Sequence, residues 1–290
     1  MTHVPLQPNR RAAVQVVAHR GASEDAPEHT LAAYVKAIED GADALECDVR
    51  LTADGHLVCV HDRRVNRTSN GKGAVSALEL ADLAALDFGT WKGRDEAVES
   101  PDRTGDRTGD RSGDRTAGRT DPEATSVLTL ERLLELVSDT GRHIELAIET
   151  KHPTRWAGQV EEKLLQLLDR FGLAAPAAPE ESPVRVMSFS ARSLHRIAKA
   201  APTLPTVSLS QFVSPRLRDG RLPAGARIAG PSIRIVRHHP AVILRLQKAG
   251  HQVHVWTVDE PEDVELCERL GVDAIITNRP KQVLSQLGRL

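Results

Sequence analysis

The sequence predicts a (β/α)8 barrel, an α/β fold with a mainly parallel sheet, and three observations carry that prediction. Nine short strand-like runs alternate with helical patterns over most of the chain. Two of these runs are joined by a turn too short for a parallel crossover, so nine runs fill eight barrel places with one excursion. The alternative, a doubly wound open sheet, has no Gly-x-Gly-x-x-Gly or Walker-type loop to support it.

The first run, 14–18, follows a polar start with two prolines. The apolar stretch leading into it is short and interrupted by Gln15, so it lacks a signal-peptide core, and no apolar run approaches bilayer length. The expected setting is the cytoplasm. The second and third runs, 44–51 and 56–60, flank Asp54-Gly55, a preferred tight-turn pair, and must be locally antiparallel. If Asp54 and Gly55 alone form the loop, Ala53 faces His56, Asp48 faces His61 and Glu46 faces Arg63. Glu46, Asp48 and His61 then share one face.

A polar segment over 93–126 carries a four-residue Asp-Arg-Thr-Gly repeat. Its apolar content is too low to offset the entropy of ordering, so it is expected to be a disordered surface loop. The remaining runs are 143–149, 184–189, 206–209, 227–235, 253–258 and 274–277. Between them, Leu130, Leu133, Leu134 and Val137 form one helical stripe, and Val160, Leu164, Leu165 and Leu168 another. Pro261 and Gly271 punctuate the start and end of a third helix.

Composition bounds the function. At 290 residues the chain suits one large domain or two small ones; with 38 Lys and Arg against 40 Asp and Glu it is no polybasic coat for nucleic acid or anionic membrane. Three Trp, one Tyr and four Phe are too few for rows of stacking platforms. Three cysteines, none at CxxC spacing, argue against a zinc site or a disulfide framework.

Three acidic residues interrupt otherwise apolar strands: Glu46 and Asp48 in Ala-Leu-Glu-Cys-Asp-Val, and Glu149 in Ile-Glu-Leu-Ala-Ile-Glu-Thr-Lys. Such charges are costly unless paired or bound to metal, and an all-oxygen set suits magnesium or calcium better than zinc. Ion pairing with arginines at strand ends is the other reading. His19 and His61 end strand-like runs, where barrel strands deliver residues to the catalytic face. With Arg20 and Lys151 supplying positive charge, they form a coherent phosphoryl-transfer set, although Lys151 and Glu149 also permit a plain ion pair.

In order and spacing, His19-Arg20-Gly21, Pro27-Glu28-His29-Thr30, Gly41-Ala42-Asp43, Glu46-x-Asp48, Thr52-x-Asp54-Gly55 and His61-Asp62 resemble the glycerophosphodiester phosphodiesterases. So do Glu149-Thr150-Lys151, Trp256-Thr257-Val258 and the closing run from Gly271 to Pro280. The resemblance implies a single barrel domain over 1–290 with a small insertion around 63–86. It implies hydrolysis of glycerophosphodiesters to glycerol 3-phosphate and an alcohol, with one divalent cation, Mg2+ or Ca2+. By the same resemblance Glu46, Asp48 and Glu149 hold the cation, and His19 and His61 are the general acid–base pair. Arg20 and Lys151 grip phosphate, Phe189 and Trp256 line the alcohol or glycerol pocket (core packing being their other reading), and Glu28 is a supporting residue. The implied partner is a small-molecule substrate, with no nucleic acid and no stable membrane insertion.

Two positions depart from the family pattern. His29 stands where the family often has Asn, and Val127-Leu128 replaces a proline before Thr129-Leu130-Glu131. Three competing readings stay open at this stage: a lysophospholipase D on lysophospholipids, a metal-dependent sugar isomerase on the same barrel, and a phosphate-ligand binding barrel without catalysis.

Overall fold

Alternation of apolar residues builds nine strands in the computed structural model, which describes residues 13–92, 125–152, 158–223 and 225–290. They are β1 (Gln15–His19), β2 (Ala44–Leu51), β3 (Leu57–Cys59), β4 (Glu145–Thr150), β5 (Val184–Ser188), β6 (Thr206–Ser210), β7 (Ile228–Pro231), β8 (Gln252–Val255) and β9 (Ala274–Thr277). All but β3 are parallel neighbours, and β1 closes the barrel by pairing with both β2 and β9, at Val17 opposite Ala44 and opposite Ile276. The fold is therefore a (β/α)8 barrel, and the excursion is β3, which lies antiparallel along the end of β2. Apart from its last two residues, the expected loop over 93–126 lies outside the described residues.

Ten helices among the described residues connect or flank these strands. They are α1 (Leu31–Glu39), α2 (Leu80–Ala84), α3 (Leu130–Asp139), α4 (Gln159–Arg170), α5 (Ala191–Ala200), α6 (Pro215–Arg218), α7 (Ile233–His238), α8 (Pro240–Lys248), α9 (Pro261–Leu270) and α10 (Pro280–Gln286). Their starts follow capping chemistry. Thr30, Thr129 and Ser190 each accept a backbone N–H of the first turn, and Pro261 opens α9 while left-handed Gly271 closes it. Thr129 thus starts α3 without the missing proline. The predicted stripes point inward: Leu130, Leu133, Leu134, Val160, Leu164 and Leu168 are buried.

Strand residues divide between two faces. Leu45, Cys47, Val49, Leu146 and Ile148 pack outward against Leu31, Tyr34, Leu133 and Leu134 of the helices. Val17, Ala44, Ala147, Met187, Val207 and Ala274 fill the lumen. Since side chains alternate, Glu46, Asp48 and Glu149 share the lumen face with Ala44 and Ala147, two or four residues further towards the C-terminal ends.

Two expectations are corrected. The hairpin pairs Val49 with Cys59 and Leu51 with Leu57, one residue away from the expected register, so Asp48 stands opposite Val60 rather than His61. The loop has three residues, not two. Thr52 pairs with His56 through Thr52 N–H to the His56 carbonyl at 2.9 Å, and Gly55 takes a left-handed φ of 88°. The run 227–235 is not one strand: β7 stops at Pro231, whose ring nitrogen has no hydrogen to offer the ladder, and α7 starts two residues later.

Candidate active site

His19 is delivered by the end of β1, where the chain turns sharply. Arg20 has φ 58° and Gly21 φ 84°, and a Cβ at Gly21 would lie 2.6 Å from the Ala33 backbone carbon. Only glycine lets this loop run directly against α1. The turn presents Arg20 Nε to Asp48 Oδ2 at 3.2 Å and Arg20 Nη1 to Glu28 Oε1 at 3.1 Å, while its backbone N–H donates to Glu46 Oε2 at 3.0 Å. His19 Nδ1 lies 2.7 Å from Asn278 Oδ1 at the end of β9.

Glu46, Asp48 and Glu149 are all buried, each offering a carboxylate oxygen within 4.8 Å of the others. Lys151 Nζ bridges them, 2.9 Å from Asp48 Oδ1 and 2.9 Å from Glu149 Oε1. Burial, then the Asp48 charge, pushes Glu149 up to about 8 and Glu46 well above its ordinary value. Burial would raise Asp48 as well, but Lys151, His29 and Arg20 together hold it well below the usual carboxylate range. Three oxygen donors that repel one another when ionised fit a hard divalent cation, whose charge would relieve that repulsion.

His61 reaches the site by leaving the sheet. β3 ends at Cys59, and the Arg50 guanidinium clamps the His61 carbonyl through two bonds of 3.0 and 2.7 Å. His61 Nδ1 lies 2.7 Å from Asp62 Oδ1. Arg67 donates to Asp62 at 2.8 Å and forks onto Glu28 at 2.9 and 2.7 Å, so Glu28 joins Arg20 to the segment that follows the hairpin. That pairing works against burial and brings Glu28 down to about 2. Burial lowers both catalytic-face imidazoles. His19 falls to about 3, with Arg20 adding to the effect, whereas in His61 the Asp48 and Asp62 charges oppose the fall.

A cleft of about 310 Å³ opens at the C-terminal ends of the strands. His19, Arg20, Glu46, His61, Glu149 and Lys151 line one side; Met187, Phe189, Leu209 and Trp256 line the other. Phe189 meets Trp256 edge to face at 5.3 Å and is half exposed. The two predicted residues off the wall, Asp48 and Glu28, stand directly behind it, held by Arg20. Two wider grooves, one between α4 and α5 and one at the opposite end of the barrel, lack the carboxylate cluster.

Four contributors escaped the sequence reading. His29 Nε2 lies 2.9 Å from Asp48 Oδ2, and His29 Nδ1 lies 2.9 Å from the Tyr34 hydroxyl. Asn278, Asp62 and Arg67 complete the support of the two histidines and Glu28. Asn278 and Asp62 stood inside motifs already noticed; Arg67 had no signal.

A barrel that gathers carboxylates, imidazoles and paired cations at this end has the equipment of a phosphate-ester enzyme. Comparison with known proteins narrows the class. Residues 19–282 match the model of the Glycerophosphoryl diester phosphodiesterase family. A Mycobacterium tuberculosis (strain H37Rv) relative, "Probable glycerophosphodiester phosphodiesterase 1", is 46% identical over 91% of this chain and 89% of its own. A glycerophosphodiester phosphodiesterase of Caldanaerobacter subterraneus is 33% identical over 93% of this chain and 96% of its own. The crystal structure of glycerophosphodiester phosphodiesterase from Agrobacterium tumefaciens superposes with a TM-score of 0.69 at 25% identity, covering 94% of this chain and 99% of the other. The chain belongs to the glycerophosphoryl diester phosphodiesterase family and is an enzyme of that class.

Proposed function

We propose that this enzyme hydrolyses glycerophosphodiesters to sn-glycerol 3-phosphate and an alcohol, with His19 and His61 as the proton-transfer pair. The observation that carries the proposal is the single cleft lined by both histidines, Glu46, Glu149, Arg20 and Lys151. Glu46, Asp48 and Glu149 would hold one divalent cation, Mg2+ or Ca2+, which when bound supplies positive charge for the phosphate oxygens. A divalent cation would hold all three carboxylates ionised; with Arg20 and Lys151 these six groups would then carry one net positive charge, which matches a phosphodiester monoanion.

Arg20 and Lys151 orient and neutralise the phosphate. His19, whose Nδ1 faces the neutral Asn278 amide, offers Nε2 as proton acceptor for the attacking hydroxyl. His61, whose Nδ1 faces the Asp62 carboxylate, is the better holder of the proton that the leaving alkoxide needs. Met187, Phe189, Leu209 and Trp256 give the alcohol or glycerol an apolar wall. The same wall favours a second reading, a lysophospholipase D-type activity, since an acyl chain could lie along it. The barrel domain with its small insertion around 63–86 belongs to this proposal, as does a cytoplasmic setting, which the three buried free thiols suit.

Release of glycerol 3-phosphate from glycerophosphocholine and glycerophosphoethanolamine, with and without a chelator, tests the reading. Release that stops on chelation supports it; no release with magnesium and calcium both supplied overturns it and sends the assay to lysophospholipids. His19→Ala should lower kcat by about 10²–10⁴, the usual loss for a general acid–base group, and near-normal turnover would remove His19 from the mechanism.

A further inference from the structure

We infer that Asn278, locked by Asp259, is a positioning residue that fixes the proton of His19 on Nδ1 and so turns the Nε2 lone pair toward the substrate. The inference rests on the reading of His19 as proton acceptor and adds how the ring is held ready. Its basis is an orientation that the hydrogen bonds decide. Asp259 Oδ1 accepts from the Asn278 backbone N–H at 2.8 Å and from the Thr277 hydroxyl at 3.0 Å, and Asp259 Oδ2 lies 2.7 Å from Asn278 Nδ2. A carboxylate engaged this way only accepts, so the side of the Asn278 amide that faces it must be the NH2. The amide oxygen therefore points the other way, to His19 Nδ1 at 2.7 Å, with the Ser23 hydroxyl also donating to it at 2.8 Å.

An amide oxygen has no hydrogen to give, so the bond to His19 exists only if Nδ1 carries the proton. Nε2 is then left as acceptor on the cleft side, the ring atom nearer Glu46 Oε2 at 3.9 Å. His61 obtains the same Nδ1–H tautomer from an adjacent carboxylate, Asp62, but His19 obtains it from a neutral amide with the carboxylate one step further back. The relay thus sets geometry and tautomer at His19 without placing a negative charge against its ring.

Asp259→Asn separates this role from a merely structural one. The substituted amide can still accept from the Asn278 N–H and the Thr277 hydroxyl through its oxygen, so the backbone of the β9 end keeps its anchor. Its NH2 would then face the NH2 of Asn278, two donors without an acceptor. The Asn278 amide must turn over to relieve this, presenting its own NH2 to His19 Nδ1 and selecting the Nε2–H tautomer. Long-range 1H–15N spectra of the full chain with magnesium supplied, at about pH 8 where imidazoles are neutral, report the tautomer directly. His19 is assigned by its absence in His19→Ala.

The expected result is Nδ1–H in the wild type and a shift toward Nε2–H in Asp259→Asn. Turnover should fall by about 10²–10⁴ with KM and the melting temperature little changed. An Nε2–H ring in the wild type, or an unchanged tautomer in Asp259→Asn, overturns the inference. A shifted tautomer with undiminished kcat upholds the relay and instead removes His19 as proton acceptor. If Asp259→Asn fails to fold, Asn278→Ala provides the same readout, with loss of the Nδ1–H preference expected and its retention overturning the relay.

Discussion

At the scale of single residues, His29 shows how a departure from a family pattern acquires a role. In sequence it appears as a variation beside Glu28. In the fold its backbone turns to φ 62°, and the ring stands between Asp48 Oδ2 and the Tyr34 hydroxyl, which also lies 3.1 Å from the Glu46 carbonyl. The carboxylate can only accept, so Nε2 carries the hydrogen it receives, while the Tyr34 hydroxyl gives its one hydrogen to the Glu46 carbonyl and stands beside Nδ1; burial disfavours the charged form of the ring. His29 thus orients a carboxylate of the proposed cation site, a role spanning 19 residues that no local motif could disclose. Removing such a partner typically weakens metal binding by about 10–100-fold. His29→Ala should therefore need that much more magnesium for half-maximal activity. His29→Asn should recover most of the loss, since Asn tolerates the left-handed backbone and keeps an N–H donor. Equal magnesium requirements in His29→Ala and wild type would remove this role. Glu46, Asp48 and Glu149 were legible because charge in an apolar strand is conspicuous, and His19 and His61 because they stand at the ends of strand-like runs.

At the scale of elements, the hairpin and the β1–α1 loop make a contrast. Asp54-Gly55 correctly announced a reversal, but the register came out one residue away because Ala53 joins Asp54 and the left-handed Gly55 in a three-residue loop. A dipeptide signals a turn without fixing how many residues share it. His61 reaches the site even so, because the ladder ends at Cys59 and Arg50, rather than strand pairing, fixes the His61 carbonyl. Gly55 and Gly21 both have positive φ, yet their surroundings differ. A Cβ at Gly55 meets nothing nearer than Lys163 Cε at 3.9 Å, whereas at Gly21 it would run into the Ala33 backbone. Gly55→Ala should therefore cost only backbone strain, about 1 kcal/mol or somewhat more, and leave kcat near normal. Gly21→Ala should push the Arg20 turn away from α1 and cost at least about 10²-fold in kcat/KM, as misplacement of a positioning group does. Chemical denaturation and steady-state assays of the two variants check this; equal activities would show that the loop can yield without consequence.

At the scale of the whole molecule, the barrel was legible because nine patterned runs with one tight turn admit few arrangements. The sites of closure, β1 against β2 and β9, were not, because pairing between distant strands leaves no local trace. The same closure drives three carboxylates together in the lumen, and this has a consequence for stability as a function of pH. Glu149, whose ordinary value is 4.5, is pushed up to about 8, so between those values the folded protein holds a proton that the unfolded chain has released. Stability falls with pH wherever the folded state binds more protons, so the cation-free enzyme should lose stability as pH rises toward 8. Below the ordinary histidine value of 6.5, the rings of His19, His29, His61 and His254, whose charged forms burial disfavours, contribute the opposite slope. The effect is therefore read between about 7.5 and 8, where those rings are largely neutral in both states. A bound divalent cation displaces the proton from the cluster and should abolish this slope while raising the melting temperature, as any ligand of the folded state alone does. Thermal unfolding across that window, with chelator and with magnesium, gives the comparison. Falling stability in chelator and a flat, higher curve with magnesium are expected. A chelated enzyme whose stability is level or rises over the same window would show that the carboxylates are not held protonated, and that Arg20 and Lys151 suffice to keep them ionised together.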